Sequence, residues 1–127
     1  MSTTPESPSG SAVLDQSTVD RLRELDPSGA ARLLPRLVTA YETSLERMLP
    51  ELAAARAGEV PDLNVVRHVS HTLKSSSGSL GALHLAALCA EIETKARNGE
   101  PGGLDALLDN MLTEINQVRL ALKALLN

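Results

Sequence analysis

The chain has 127 residues and a formal net charge of −4, with 12 lysines and arginines against 16 aspartates and glutamates. It contains one tyrosine, Tyr41, and no tryptophan or phenylalanine, so the aromatic platforms on which single-stranded nucleic acid stacks are missing. Because a protein that binds the phosphate backbone usually carries a basic excess, we do not expect nucleic acid as a partner. The length fits a single domain with one hydrophobic core.

The only cysteine, Cys89, excludes an intramolecular disulfide and a cysteine-rich zinc site. Residues 1–12, MSTTPESPSGSA, are rich in Ser, Thr, Pro and Gly, and we expect them to be a disordered segment before a domain that spans residues 13–127. They contain no basic segment followed by an apolar run, and no eighteen apolar residues follow one another anywhere in the chain. We therefore expect a cytoplasmic protein that does not contact a membrane.

Two helices are predicted in the first half of the chain. The first is short and begins at Ser17, which forms a capping-box-like pair with Asp20. Its apolar positions, one turn apart, are Val19, Leu22 and Leu25. After the break at 26–29, a long second helix is predicted from apolar residues at Leu34, Leu37, Val38, Tyr41, Leu45, Met48, Leu49 and Leu52. Pro35 falls in or near its first turn, whereas Pro50 falls inside and should kink the helix.

Three more helices follow. Asp62 is well placed near the start of the third helix, where a carboxylate favours the positive end of the helix dipole. The inward positions of this helix are Leu63, Val66, Val69, Ser70, Leu73, Ser77 and Leu80. A turn near Gly81 leads to a fourth helix with inward residues Leu85, Leu88, Cys89, Ile92 and Ala96. The last helix has the clearest stripe: Leu104, Leu108, Met111, Ile115, Val118, Leu122 and Leu125. Arg119 is interpreted as an ordinary residue near the end of this helix.

The pattern as a whole predicts an all-α fold. No stretch shows sustained alternation of apolar and polar residues, and every predicted connection is short, so neighbouring long helices should run antiparallel. We expect an up-and-down antiparallel four-helix bundle with a short additional N-terminal helix packed over one end.

A histidine and several small residues stand out in the segment HTLKSSSGSLGA, residues 71–82. If the apolar stripe of the third helix faces the core, the opposite, exposed face carries Arg67, His71, Lys74, Ser75 and Gly78. An exposed imidazole is mostly neutral at physiological pH and has one ring nitrogen free to act as a nucleophile. Lys74, one turn on, can neutralise phosphoryl oxygens. The small residues Ser75 and Gly78 leave room for a partner's active site, although a helical glycine costs up to ~1 kcal/mol relative to alanine.

This segment carries a family resemblance, which covers the chain from about His71 to Arg97. The residues H-T-L-K-S-S-S-G-S-L-G-A, followed by Leu85, Cys89, Glu91-Ile92-Glu93 and Arg97, resemble the histidine phosphotransfer (HPt) domain family of two-component phosphorelays. The usual pattern of that family is H-x-L-K-G-S-x-x-x-L-G-A followed by L-x-x-x-C-x-x-[LI]-[EQ].

The resemblance assigns roles to individual positions. It implies that His71 is the phosphoaccepting residue and Lys74 its charge partner. The supporting positions that it implies are Gly78 and Gly81 as small residues beside the site, Glu93 as the polar group near the imidazole, and Arg97 as a basic residue near the phosphohistidine. The chain departs from the family pattern at Ser75, where glycine is usual, and this leaves the transfer rate and the choice of partner open.

The function that the resemblance implies is that of a phosphoryl carrier. The aspartate of one receiver domain would phosphorylate His71, which would pass the group to the aspartate of another. The partners would be receiver domains of a hybrid sensor histidine kinase, of response regulators, or of both. Mg²⁺ would be held by those receivers, and the chain would have no cofactor or metal of its own. No G-x-x-x-x-G-K-[ST] loop and no kinase glycine-rich loop occur, so we expect a carrier and not an enzyme that uses ATP. We also expect the carrier to be a monomer.

Two alternatives stay open. The bundle could bind or sequester a receiver domain without being phosphorylated. It could also be a metal-dependent enzyme that uses His68, His71 and glutamate side chains, although histidines three residues apart without a converging carboxylate are usually unrelated surface residues. Cys89 lies on an apolar stripe and is interpreted as a small buried residue. The serines at 75–77 lack the G-x-S-x-G pattern of a serine nucleophile.

Overall fold

A computed structural model describes residues 13–126 of the chain. These residues form no β-strand, and their helices are α1 (Gln16–Glu24), α2 (Leu33–Arg56), α3 (Leu63–Ser79), α4 (Leu83–Arg97) and α5 (Leu104–Leu125). The closest packing is between α3 and α4, α4 also packs on α5, and α2 completes the ring by contacting α3 and α5. The predicted all-α four-helix bundle with a short extra helix is therefore confirmed. The predicted disordered segment 1–12 and the last residue of the predicted domain lie outside the described residues.

The core is built from the apolar stripes that the sequence predicts. Six of the seven predicted positions of α5 are buried, and the seventh, Leu125, is half-buried. The largest fully buried side chains elsewhere include Leu45, Met48, Leu52, Leu73, Leu85 and Ile92. Burying one such side chain contributes about 1.5–3 kcal/mol relative to leaving it exposed. The prediction for Leu25 is wrong, because this side chain lies just beyond α1 and is 73% exposed.

The helix starts are fixed by aspartates. Asp62 caps α3 and accepts hydrogen bonds from the backbone N–H groups of its first turn. At α1 the predicted capping box is wrong, because the cap is Asp15, whose carboxylate accepts from the Thr18 N–H at 3.1 Å and from the Ser17 hydroxyl at 2.7 Å. These bonds, that from Ser17 most of all, lower the pKa of Asp15. The two predicted capping residues, Ser17 and Asp20, instead lie inside α1.

The start of α2 depends on a side chain from the preceding loop. Arg32, at the cap position, has a left-handed backbone (φ 57°) and no capping side chain. Asp26 supplies the acceptor instead, because its carboxylate binds the N–H of Leu33 at 3.1 Å and that of Ala31 at 3.1 Å. Both backbone bonds, with that from Leu33 first, lower the pKa of Asp26. Pro35 lies in the first turn as predicted, and α2 continues through Pro50 to Arg56.

Polar contacts join the long helices to one another. The Tyr41 hydroxyl of α2 and the Ser77 hydroxyl of α3 lie 2.8 Å apart in the core, and burial raises the pKa of Tyr41 to about 12. On the surface, Arg119 has a structural role that the sequence did not predict. Its guanidinium pairs with Glu42 at 2.8 Å and joins α5 to α2. None of the helices within residues 13–126 is long and apolar enough to cross a membrane.

Gly81 holds α1 over the end of the bundle. It has a φ of +87° in the α3–α4 turn, and its carbonyl accepts a hydrogen bond from the Asp15 N–H at 2.7 Å. A Cβ atom on Gly81 would lie 3.0 Å from the Thr18 Cβ and 3.2 Å from the Asp15 carbonyl oxygen. Only glycine therefore allows both this backbone conformation and the close approach of α1.

The α5 stripe yields a test of the core. Ile115→Ala should lower the free energy of unfolding by ~2–5 kcal/mol, because it removes buried methyl groups and leaves a cavity. The matched control is Leu120→Ala, since Leu120 lies on the same helix but is 64% exposed, and its change should stay within about 0.5 kcal/mol. Urea unfolding followed by circular dichroism measures both. Equal losses for the two variants would contradict the assignment of the buried face.

The turn at Gly81 yields a second test. Gly81→Ala should destabilise the protein more than Gly99→Ala, although both glycines have a positive φ. A Cβ on Gly99 meets no atom within 4 Å, so that variant carries only the backbone strain of about 1–2 kcal/mol. Gly81→Ala adds the clash with α1, and the amide exchange of residues 16–24 should become faster. Unfolding measurements and hydrogen exchange compare the two, and equal effects would show that α1 does not depend on this contact.

Candidate functional site

The predicted reactive histidine lies on the exposed side of α3. The His71 side chain is 64% exposed and that of Lys74 is 39% exposed. Val69, Ser70 and Leu73 point into the core, and this places positions 71 and 74 at the edge of α3 that borders α4. The helical-wheel prediction of an accessible imidazole is met by this geometry.

Glu93 of α4 joins these two side chains. One carboxylate oxygen, Oε2, lies 2.8 Å from His71 Nδ1, and the other, Oε1, accepts a hydrogen bond from Lys74 Nζ at 2.7 Å. The Glu93 side chain is only 10% exposed, so nearly all of its polar contacts come from these two partners. Three of the residues that the sequence singled out thus form one cluster across the α3–α4 interface.

The charge of Glu93 determines which ring nitrogen of His71 carries a proton. The hydrogen bond from Lys74 holds the pKa of Glu93 below its usual value, burial opposes this shift, and the contact with His71 supports it. The carboxyl group is therefore ionised at neutral pH, and an ionised carboxylate only accepts hydrogen bonds. Because its partner Glu93 only accepts, His71 must carry a proton on Nδ1. In the neutral ring this leaves the lone pair of Nε2 free, on a side chain that is 64% exposed.

The other predicted site residues lie at different distances from this cluster. Ser75 is exposed one turn from His71, and its hydroxyl makes no hydrogen bond with any side chain described in residues 13–126. Gly78 is half-buried, and a Cβ there would meet Ala86 Cβ at 3.9 Å, so packing does not require glycine. Arg97 is exposed one turn beyond Glu93.

Gly81 requires a correction to the sequence-based placement. It was expected beside the reactive histidine, but it lies in the α3–α4 turn against Asp15 and Thr18. Since α3 rises about 1.5 Å per residue, the helix end at Ser79 is already about 12 Å from His71 along the axis. Gly81 therefore acts on the site only through the helix packing that it permits.

Two alanines near the site were missed by the sequence analysis. Ala86 and Ala90 lie seven and three residues before Glu93, so they share its face of α4. Both are half-buried, and Ala86 is the nearest neighbour of a Cβ at Gly78. The 3- and 4-residue spacing from Glu93 is the signal that would have identified them.

Neither the thiol nor the other histidines form a second reactive centre with the cluster. Cys89 is buried, burial raises its pKa to about 12, and its Sγ lies 3.7 Å from Met111 Sδ. His68 is exposed on α3. Across the part of the chain that the structure describes, no three histidine, cysteine or acidic residues are grouped so that they could hold a metal ion.

The shared carboxylate yields a pH prediction. Because the pKa of Glu93 is lowered in the folded protein, its contribution to stability is fully present above the ordinary glutamate value and is lost as the pH falls through the folded value. Lys74→Ala should raise the pKa of Glu93, since it removes the largest cause of the shift. Carboxyl ¹³C chemical shifts followed through an NMR titration measure this. The control is Lys95→Ala, because Lys95 binds the Gly102 carbonyl instead, and an unmoved Glu93 pKa in Lys74→Ala would contradict the pairing.

Comparison with known proteins identifies the family. The Hpt domain model matches residues 36–126. The phosphorelay protein LuxU of Vibrio cholerae serotype O1 is 28% identical over 105 residues, which cover 82% of this chain and 88% of LuxU. The crystal structure of histidine-containing phosphotransfer protein B (HptB) from Pseudomonas aeruginosa PAO1 matches with 31% identity and a TM-score of 0.68, over 88% of this chain and 92% of HptB.

A plant protein shares the fold at lower identity. The histidine-containing phosphotransfer protein from maize matches with a TM-score of 0.76 and 24% identity, over 91% of this chain and 84% of the maize chain. The family match includes all of α3 and α4, on which His71, Lys74 and Glu93 lie. The chain therefore belongs to the Hpt domain family, and its function is histidine phosphotransfer in a two-component phosphorelay.

Proposed function

We propose that His71 is the residue that carries the phosphoryl group and that Nε2 is the atom to which the group binds. The observation that carries this assignment is the contact between Glu93 Oε2 and His71 Nδ1 at 2.8 Å, on a side chain that is 64% exposed. The carboxylate occupies one ring nitrogen and fixes its proton there, so the other nitrogen is both nucleophilic and accessible.

The transfer step follows from this protonation state. The Nε2 lone pair attacks the phosphorus of an aspartyl phosphate on a receiver domain and forms an N–P bond. The P–O bond to the aspartate breaks, and the leaving carboxylate takes the electron pair. The Nδ1 proton stays on the ring, where Glu93 accepts its hydrogen bond. The reverse of this step on a second receiver delivers the phosphoryl group to another aspartate.

Lys74 supplies positive charge for this step. Phosphoryl transfer depends mainly on alignment and on neutralisation of the phosphoryl oxygens. The Lys74 ammonium binds the same carboxylate as the imidazole, and Lys74 lies one turn after His71 on α3. The positive charge of Arg97, exposed one turn beyond Glu93, is at the periphery of the proposed site and would act on the docked partner.

The space beside His71 suits a macromolecular phosphodonor. Ser75 and Gly78 are small residues that continue the face of α3 from His71, and on α4 the small residue Ala86 lies next to Gly78. A receiver domain can approach over this surface with its own Mg²⁺ ion, and the bundle contributes no cofactor. We assign as partners the receiver domains of a hybrid sensor histidine kinase, of response regulators, or of both, which a monomeric cytoplasmic carrier meets in turn.

The assignment is tested by replacing one histidine at a time. Wild-type protein incubated with a phosphorylated receiver domain should acquire acid-labile, base-stable label, and His71→Ala should acquire none, because the nucleophile is gone. The matched control is His68→Ala, one turn earlier on α3 and also exposed, which should label like the wild type. Labelling of His71→Ala would refute the assignment. Binding of the receiver without labelling of the wild type would instead support the sequestering alternative that the serine at position 75 leaves open.

A further inference from the structure

The ammonium group of Lys74 is already hydrogen-bonded in the structure. Its ammonium donates to Glu93 Oε1 at 2.7 Å, while His71 Nδ1 contacts Oε2 of the same carboxylate at 2.8 Å. The Glu93 side chain is 10% exposed and that of Lys74 is 39% exposed, so the pair is partly shielded from water. A lysine held in this way must break its hydrogen bond to Glu93, or divide its N–H donors between Glu93 and the phosphate. Only then can it fully bind the oxygens of a phosphoryl group on Nε2.

We propose that Glu93 is the resting partner of Lys74, and that arrival of the phosphoryl group on His71 transfers the ammonium from the carboxylate to the phosphoryl oxygens. This inference rests on the proposed function of His71. Because the exchange breaks a charged pair, Glu93 lowers the stability of the phosphohistidine relative to what Lys74 alone would give. Glu93 is thus a positioning residue that acts on the phosphoryl group through Lys74.

The physical basis is competition for one cation. A charge-assisted hydrogen bond at 2.7 Å is stronger than a neutral one, and a carboxylate that loses one of two partners in a nearly buried position is left with an uncompensated oxygen. The negatively charged phosphoryl oxygens offset this cost by accepting hydrogen bonds from the Lys74 ammonium. The net gain from Lys74 is therefore smaller than its full attraction to the phosphate, and the group remains easier to pass on.

A glutamine at position 93 separates the two contacts of the carboxylate. Its carbonyl oxygen can still accept the hydrogen bond from His71 Nδ1, but its amide nitrogen has donors only and cannot accept one from Lys74. Glu93→Gln therefore preserves the imidazole orientation and releases the lysine. Glu93→Ala removes both contacts and serves for comparison.

The experiment measures the equilibrium between one phosphorylated receiver domain and His71. Five proteins are compared: the wild type, Glu93→Gln, Glu93→Ala, Lys74→Ala and the double variant of Glu93→Gln with Lys74→Ala. Glu93→Gln should raise the equilibrium constant for phosphohistidine formation by roughly three- to tenfold, the size expected from loss of one partly exposed charged hydrogen bond. Lys74→Ala should lower it, and the gain from Glu93→Gln should disappear in the Lys74→Ala background, because no lysine is left to release.

Two further measurements separate this proposal from a general charge effect. Glu91→Gln removes the same charge from an exposed position of α4 and should leave the equilibrium unchanged. The side-chain ¹⁵N resonance of Lys74 should move on phosphorylation of the wild type, and in unphosphorylated Glu93→Gln it should already differ from its wild-type position.

Three outcomes would overturn the exchange. A gain from Glu93→Gln that persists without Lys74 would mean that the carboxylate acts on the phosphate directly. A loss as large as that in Glu93→Ala would mean that Glu93 acts only on the imidazole. A Lys74 resonance that does not respond to phosphorylation would mean that the lysine keeps its partner. Failure of the proposed function itself is recognised separately, because either His71→Ala would then still be labelled or the wild type would not be labelled at all.

Discussion

The site depends on one carboxylate held between two nitrogens. Glu93 lies almost buried on α4, and its carboxylate accepts hydrogen bonds from His71 and Lys74 of α3 at 2.8 and 2.7 Å, of which Lys74 also balances its charge. An ionised carboxylate in such a position is stable only with partners of this kind. The register of α3 against α4 is therefore constrained, because a shift of one turn would separate Glu93 from both partners and leave three polar groups without their contacts.

The rest of the fold maintains that register. The α3–α4 pair has the most extensive packing in the bundle, and its turn is closed by Gly81, whose positive φ and missing Cβ let Asp15 and Thr18 approach. The buried contact between Tyr41 and Ser77 joins the other side of α3 to α2. α3 presents the imidazole beside α4, where it contacts Glu93 and stays 64% exposed, so the bundle orients the ring without enclosing it in a pocket.

The sequence predicted what depends on local periodicity. The α5 stripe, the Asp62 cap and the exposed face that carries His71 all follow from residues a few positions apart, for which helix geometry alone is sufficient. Helix caps supplied from a distant loop residue were not predicted. The Asp26 carboxylate accepts a hydrogen bond from the N–H of Leu33, seven residues later, at the start of α2, and no sequence spacing indicates such a contact. The pair of Lys74 with Glu93 joins residues nineteen positions apart. The family resemblance placed Glu93 near the imidazole, but its burial and its hold on Lys74 appear only when two helices are packed together.

The same arrangement reconciles two demands on a phosphoryl carrier. Under the proposed function the ring must be exposed, since its phosphoryl donor and acceptor would both be receiver domains, yet an exposed imidazole in water has no fixed tautomer and no fixed orientation. In the structure Glu93, which is 10% exposed, contacts Nδ1 and so supplies both; in the proposed function Nε2 is then left as the nucleophile. In the proposed transfer, Mg²⁺ and the alignment of the aspartate come from the receiver, and the bundle contributes a nucleophile and one cation. We expect a site with so few parts to hold the phosphoryl group of the proposed function weakly, and this would suit a molecule that must give up the group as readily as it accepts it.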